Sequence, residues 1–294
     1  PPAVPVLRGT ARSLRSHLPP IERLPAPVTP AATEAVLAAL AEAELSVEGR
    51  ILVSSNAALL VSLPVGDERV HAIYKPISRE RPLWDYPDGT LAGRERAAYL
   101  ISELGGFSVV PPTVLRTTGP LGPGSVQLWV EGDSESVVDV VAPGQAPDGW
   151  RAVFEGSDQH GRAVLLVHAD DPGTRRVAVL DLVLNTSDRK GSHLIRSRED
   201  PGQVWGVDHG VSLSVEPKLR TVLWGFVGER LTAMDLEPVH RLRAALEGPA
   251  SDELAEHLTQ DELAALAERV DDLLESGRFP APGQDWPAIP WPAL

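Results

Sequence analysis

Residues 49–76, GRILVSSNAALLVSLPVGDERVHAIYKP, pack three apolar runs into 28 positions. "ILV" and "ALLVSL" flank "SSNA", and "VGDE" separates the second run from "VHAIYK". Clusters of Ser, Asn, Gly and Asp between β-branched runs are turn chemistry. Connections this short can join only antiparallel neighbours, because a parallel pair needs a crossover of about a dozen residues or more. An antiparallel meander is therefore expected. "LAGRERAAYLISELGG" (91–106) reads as a helix closed by Gly105-Gly106. "VVPPTVL" and "GSVQLWV" add two short strands, and Thr33 to Leu45 reads as a helix ahead of the sheet.

Beyond Val130 the pattern changes. Helices are expected within Gly156–Asp170 and over Arg175–Leu184, with short strand character in "VWGVDHGVSL". "LEPVHRLRAAL", "DELAEHL" and "QDELAALAERVDDLLES" repeat apolar residues three and four apart, the spacing of amphipathic helices. The tail "PAPGQDWPAIPWPAL" is Pro-rich and irregular. The division expected is a Pro-rich arm over 1–30, a β-rich N-lobe over 31–130 and a helical C-lobe over 131–294.

Of 27 basic residues only Lys75, Lys190 and Lys218 are lysines, and the other 24 are Arg. Lys is a compact point charge suited to phosphate, Arg a wide planar fork, so each retained Lys is a candidate for a specific task. A net charge of -14 argues against general nucleic-acid binding, which favours a basic surface. No apolar run is long enough to span a bilayer. Zero cysteines exclude disulfides and cysteine–zinc sites and fit a cytoplasmic protein.

Alternation along "VHAIYKP" puts His71, Ile73 and Lys75 on one face. Lys75 is either a strand-end cation reaching solvent or a ligand-binding lysine. Ser54, Ser55 and Asn56 read either as a plain hairpin turn or as a loop whose hydroxyls and N–H groups cover a phosphate. Glu95 has Ala98 and Tyr99 as its helical neighbours; it is either solvated between Arg94 and Arg96 or buried with Lys75 as partner. "NTSDRKGSH" (185–193) reads either as a capped helix end with a solvated basic loop or as a catalytic loop around Asp188. Asp208, in "VWGVDHG", sits where a strand ends in a tight turn. Two carboxylates at loop mouths, a sheet lysine and a hydroxyl-rich hairpin are the parts of phosphoryl transfer. Neither a P-loop nor a dinucleotide-binding glycine motif occurs.

From about Gly49 to Trp224, the order "YKP", "GRERAAY", "VVPPTV", "VQLWVEG", "LDLVLNTSDRKGSH" and "WGVDHG" resembles the bacterial phosphatidylinositol 3- and 4-kinase-like family. That family is related to type II phosphatidylinositol 4-kinases and to HipA-type kinases. The resemblance implies an α+β, bilobal protein-kinase-like fold with ATP between the lobes and Mg²⁺, or Mn²⁺, as metal. It carries Lys75 over as the nucleotide lysine, Glu95 as its helix partner and Ser54–Asn56 as the phosphate loop. Gln127, Trp129 and Val130 fall in the linker that meets adenine through its backbone. Asp188 corresponds to the catalytic aspartate and Asp208 to the metal aspartate.

Two positions depart from the family pattern. Thr186 stands where Asn is frequent, with Asn185 one earlier, and His193 stands where a metal-binding Asn is expected. Imidazole prefers softer ions than Mg²⁺. The expectation is a γ-phosphoryl transferase acting on a hydroxyl, protein Ser/Thr or small alcohol rather than lipid, since no basic amphipathic helix marks a membrane face. A nucleotide-binding pseudokinase and a nucleotidyl transferase are the alternatives.

Overall fold

The computed structural model describes residues 6–7, 30–51, 58–87, 90–158 and 160–294, so the Ser54–Asn56 expectation and most of the Pro-rich arm lie outside the described residues. The chain is a mixed α+β protein that divides into two compact units. The first comprises residues 1–99 and 111–130, the second 100–110 and 131–294.

The first unit is built on a six-stranded sheet. Its strands are β1 (Val6–Leu7), β2 (Ser46–Ile51), β3 (Leu59–Val65), β4 (Glu68–Pro76), β5 (Thr113–Arg116) and β6 (Gly124–Leu128). They lie in the order β1-β2-β3-β4-β6-β5. The expected meander is β2–β4, but its first strand is Ser46–Ile51, ahead of the expected "ILV" (51–53), whose last two residues lie outside the described residues; β3 and β4 are antiparallel in the register Val61↔Ala72 and Leu63↔Val70. Among the described pairs of this sheet only β1–β2 is parallel. Helix α1 (Pro30–Glu42) lays Val36 and Leu40 on Leu59, Val61, Leu63, Val70, Tyr74, Val114, Val126 and Leu128. Its last carbonyls, which lack helical partners, receive the Arg116 guanidinium, Nη1 donating to Leu40 O (3.2 Å) and Ala43 O (2.8 Å).

Helix α2 (Leu91–Gly105) starts on the Glu80 carboxylate, which accepts from Leu91 N (3.0 Å) and Ala92 N (2.8 Å). This satisfies two orphan N–H groups and sets a negative charge against the positive helix end. The helix ends as its glycine pair predicts, with Gly106 at φ +73.

The second unit is less helical at its start than the sequence suggests. The helix expected within Gly156–Asp170 is instead strand β10 (Ala163–Ala169). It lies between β8 (Val138–Val141) and β9 (Trp150–Ser157) in an antiparallel sheet. The run Ala-Val-Leu-Leu-Val-His-Ala is too short for a stable helix and is bounded by a turn. Apolar runs of that length do not declare their period. A second small sheet orders β12 (Val204–Gly206), β11 (Leu194–Ser197) and β7 (Gly132–Asp133).

Helix α3 (Pro172–Leu184) begins on Asp171, whose carboxylate caps Thr174 N (3.0 Å), with Pro at its first turn. Helices α4 (Ala233–Leu246), α5 (Ala250–Ala255) and α6 (Gln260–Ser276) follow where the amphipathic spacing puts them. Reciprocal capping boxes, Thr232 with Asp235 and Thr259 with Glu262, start α4 and α6. Val177, Leu180, Leu184, Phe226, Val239, Leu242, Leu266 and Val270 are buried in this unit. No described helix is long and apolar enough to cross a membrane.

Candidate functional site

Two groups of predicted residues are assembled, one in each unit. In the first, Lys75 lies on β4 opposite Ser125 of β6. Its neighbour Tyr74 is fully buried in the core, so strand alternation turns Lys75 to the other face of the sheet. There its Nζ pairs with the Glu95 carboxylate of α2. The two side chains are 19% and 3% exposed. A carboxylate this deeply buried requires a partner, which decides between the two readings of Glu95. The adjacent Arg94 is also buried and stacks its guanidinium 5.0 Å from the Tyr86 ring centroid.

The linker residues are partly committed to the sheet. Gln127 pairs with Ile73 on one side and Thr113 on the other, and its Nε2 donates to Thr113 Oγ1 (2.8 Å). Trp129 donates its N–H to His71 O (3.0 Å). Val130, half-buried, follows directly at the end of the unit.

In the second unit the polar segment after α3 is a built loop. Asn185, at φ 51, ends the helix in the left-handed conformation that Asn tolerates. Its amide nitrogen donates to Ser214 O (3.1 Å) and Glu216 O (2.6 Å), and its oxygen accepts from Lys218 N (3.0 Å). Asn185 is thus a structural staple. Asp188, 32% exposed, accepts from Lys190 Nζ at 2.8 Å.

Arg189 points the opposite way and is fully buried. Its Nε and Nη2 donate to the Asp181 carboxylate (2.9–3.2 Å), its Nη1 to Val207 O (2.8 Å), and its Nη2 meets His209 Nε2 at 2.7 Å. Thr221 Oγ1 completes the cluster by donating to Asp181 Oδ2 (3.1 Å). One guanidinium therefore grips both neighbours of Asp208, the Val207 carbonyl and the His209 ring. Asp208 itself, at φ 62, turns outward with its side chain 50% exposed. The His193 ring stands beside it, Nε2 3.3 Å from Asp208 Oδ2. Burial holds the His193 pKa below the ordinary imidazole value, although Asp208 pulls it up, so the ring is neutral near pH 7. The contact is a neutral imidazole against a carboxylate.

Mg²⁺ takes oxygen ligands, typically one or two carboxylates completed by phosphate and water. Asp208 fits that demand. No cluster of three or more His, Asp or Glu able to cage a metal occurs among the described residues. An ion at Asp208 would accordingly depend on phosphate and water for its remaining ligands, with the His193 nitrogen a softer donor alongside.

Asp181, Thr221 and the stapling role of Asn185 were not singled out from the sequence. A signal was present: Asp181 is a lone carboxylate inside the apolar run Val177–Leu184, and a buried carboxylate implies a buried cation nearby.

No family model matches the chain. It is 44% identical over 267 residues to Protein Rv2133c of Mycobacterium tuberculosis (strain ATCC 25618 / H37Rv), a match covering 87% of this chain and 95% of the relative. Among solved structures it is similar to hydra Fam20 with sugar, with a TM-score of 0.48 and 14% identity over 84% of this chain and 88% of that one. It is also similar to the Golgi casein kinase with Mn/ADP bound, with a TM-score of 0.47 and 12% identity over 84% and 75%. The phosphatidylinositol 3- and 4-kinase-like family expected from the motifs is not among these matches. The chain belongs to the family of the mycobacterial protein Rv2133c.

Proposed function

We propose that the protein is a kinase-like ATP- and Mg²⁺-dependent phosphotransferase that moves the γ-phosphoryl group of ATP to a hydroxyl acceptor. The observation that carries the reading is the Arg189 clamp, which holds the segments bearing Asp188 and Asp208 to one buried carboxylate, Asp181. A chain that fixes two outward carboxylates through one inward guanidinium is fixing their geometry, and phosphoryl transfer depends almost wholly on positioning and charge.

Asp188 accepts the proton of the attacking hydroxyl as its oxygen bonds to the γ-phosphorus and the bond to the β-phosphate oxygen breaks, releasing ADP. Lys190, 2.8 Å from Asp188, keeps that carboxylate oriented until the proton arrives. Lys75, oriented by Glu95, neutralises the α- and β-phosphates. Asp208 would hold Mg²⁺, which when bound supplies positive charge to the phosphate oxygens. Because Gln127 and Trp129 make bonds within the sheet, Val130 is assigned the backbone contact to adenine. The acceptor is assigned to protein Ser/Thr or a small alcohol, in keeping with the acidic chain.

His193 favours a second reading. An imidazole beside Asp208 is a poor partner for Mg²⁺, which suits a nucleotide-binding module that performs no transfer. The test is the mass of the products after incubation with ATP, Mg²⁺ and a hydroxyl-bearing acceptor such as casein or the protein itself. Gain of a phosphate supports the phosphotransferase. Gain of a nucleotide means nucleotidyl transfer, and ATP binding with unchanged masses means the binding module.

A further inference from the structure

Three stretches distant in sequence lie edge to edge in the second unit. The first is 185–193, the loop of Asp188. The second is 218–224, joined to it by Arg220 N–H to Thr186 O (2.9 Å), Arg189 N–H to Arg220 O (3.0 Å) and Val222 N–H to Arg189 O (3.1 Å). The third is 286–293, part of the Pro-rich tail. It receives Thr221 N–H and the Trp224 indole N–H on Ala288 O (3.0 and 2.8 Å), and Arg220 Nε–H on Pro287 O (3.1 Å). It then returns to the first stretch, where Gly191 N–H donates to Ala293 O at 2.8 Å. The tail forms no helix or strand of its own.

One side-chain contact anchors the strap near its start. Lys218, 2% exposed, lies with Nζ 4.9 Å from the Trp286 ring centroid, while its backbone N–H donates to the Asn185 amide oxygen. A cation over an indole is the favourable form of that contact, and more so away from water. The other two lysines of this Arg-dominated chain pair with Glu95 and Asp188. Lys218 couples the tail to the helix-ending residue three positions before Asp188.

We propose that Trp286 and Lys218 are positioning residues for Asp188, through a strap formed by 286–293 that fixes the loop over 185–193. The catalytic consequence rests on the phosphotransferase reading above; the mechanical one does not. Two readouts separate them. Trp286→Ala is expected to lower kcat about tenfold, the order of loss that small misplacement of a reacting group brings, while KM for ATP stays within about twofold. Trp286→Phe keeps a π face and should retain most of the activity. Trp291, in the same tail but 86% exposed, serves as control, and Trp291→Ala should behave as wild type. Amide hydrogen exchange at Gly191 and Val222 should run about tenfold faster in Trp286→Ala, since local opening sets that rate. If Trp286→Ala does not fold, Trp286→Leu, which keeps apolar bulk without a π face, takes its place with the same readouts. Unchanged exchange, or an undiminished kcat in an active protein, overturns the proposal. Faster exchange in a protein that binds ATP without turnover supports the strap and counts against the phosphotransferase reading instead.

Discussion

The two units each hold an ion pair, and the pairs differ in how far they are enclosed. Arg189 and Asp181 are both fully buried, and the guanidinium also binds the Val207 carbonyl and the His209 ring. Lys75 is 19% exposed while its partner Glu95 is 3% exposed. The first pair directs every observed hydrogen bond of its cation into the protein. The second buries the anion and leaves the cation at the edge of water. A fully enclosed pair fixes geometry, whereas a pair with a partly exposed cation keeps that cation within reach of solvent. Residue type alone does not separate the two cases, and side-chain exposure does.

The comparison breaks most visibly at Arg189. Arg189→Ala leaves Asp181 buried and uncompensated, a loss of about 3–5 kcal/mol, to be read from the urea midpoint. Arg189→Lys should recover little, because one ammonium cannot reach Asp181, Val207 O and His209 together. A midpoint near wild type for Arg189→Lys would mean the guanidinium geometry is dispensable.

At Lys75 an effect on ligand adds to a loss of stability, because Lys75→Ala leaves the buried Glu95 carboxylate without its ion-pair cation. With ATP–Mg²⁺ at about a hundred times its dissociation constant, wild type should gain about 2.7 kcal/mol of stability, seen as a rise in Tm. Lys75→Ala should remove most of that gain, and Asp188→Ala should keep it while losing turnover. Equal Tm responses in wild type and Lys75→Ala would erase the distinction between the two pairs.

A smaller effect comes from His168, a fully buried imidazole whose Nδ1 faces Ala169 O (2.9 Å) and whose Nε2 accepts from Gly225 N (3.1 Å). Burial, reinforced by Arg151, holds its pKa below the ordinary value. The folded state therefore favours the neutral ring. Its contribution is complete above the unfolded value of about 6.5 and declines as pH falls from there toward the folded pKa, by up to about 1.4 kcal/mol per pH unit. Denaturant titrations from pH 7.5 to 5 should show this slope in wild type and a shallower one in His168→Gln. Smallest of all is the exposed Arg241–Glu237 pair on α4, where Arg241→Ala should cost about 0.3–0.5 kcal/mol and vanish into high salt.

The features legible from the sequence are those written in local chemistry. Turn residues between β-branched runs point to β3 and β4, Gly105-Gly106 closes α2, and the scarcity of lysine draws attention to Lys75. β10 departs from the expected helix because six apolar residues and one histidine carry no clear period. The buried partners of Arg189 are illegible for a different reason. Adjacent to Asp188 and Lys190, Arg189 looks like one more loop charge, and only the distant partners Asp181, Val207 and His209 show that it faces inward.

The backbone at Asp208 limits what that position can hold. A residue at φ 62 is in the left-handed region, which Gly occupies freely and Asn and Asp tolerate, while other L-residues there are opposed by about 1–2 kcal/mol. Of the three tolerated types only Asp carries charge, so the turn and the charge together favour Asp, and Glu, although also a carboxylate, is opposed by about 1–2 kcal/mol. Asp208→Asn is therefore the substitution that changes the chemistry alone, whereas Asp208→Ala mixes a lost ligand with a strained turn.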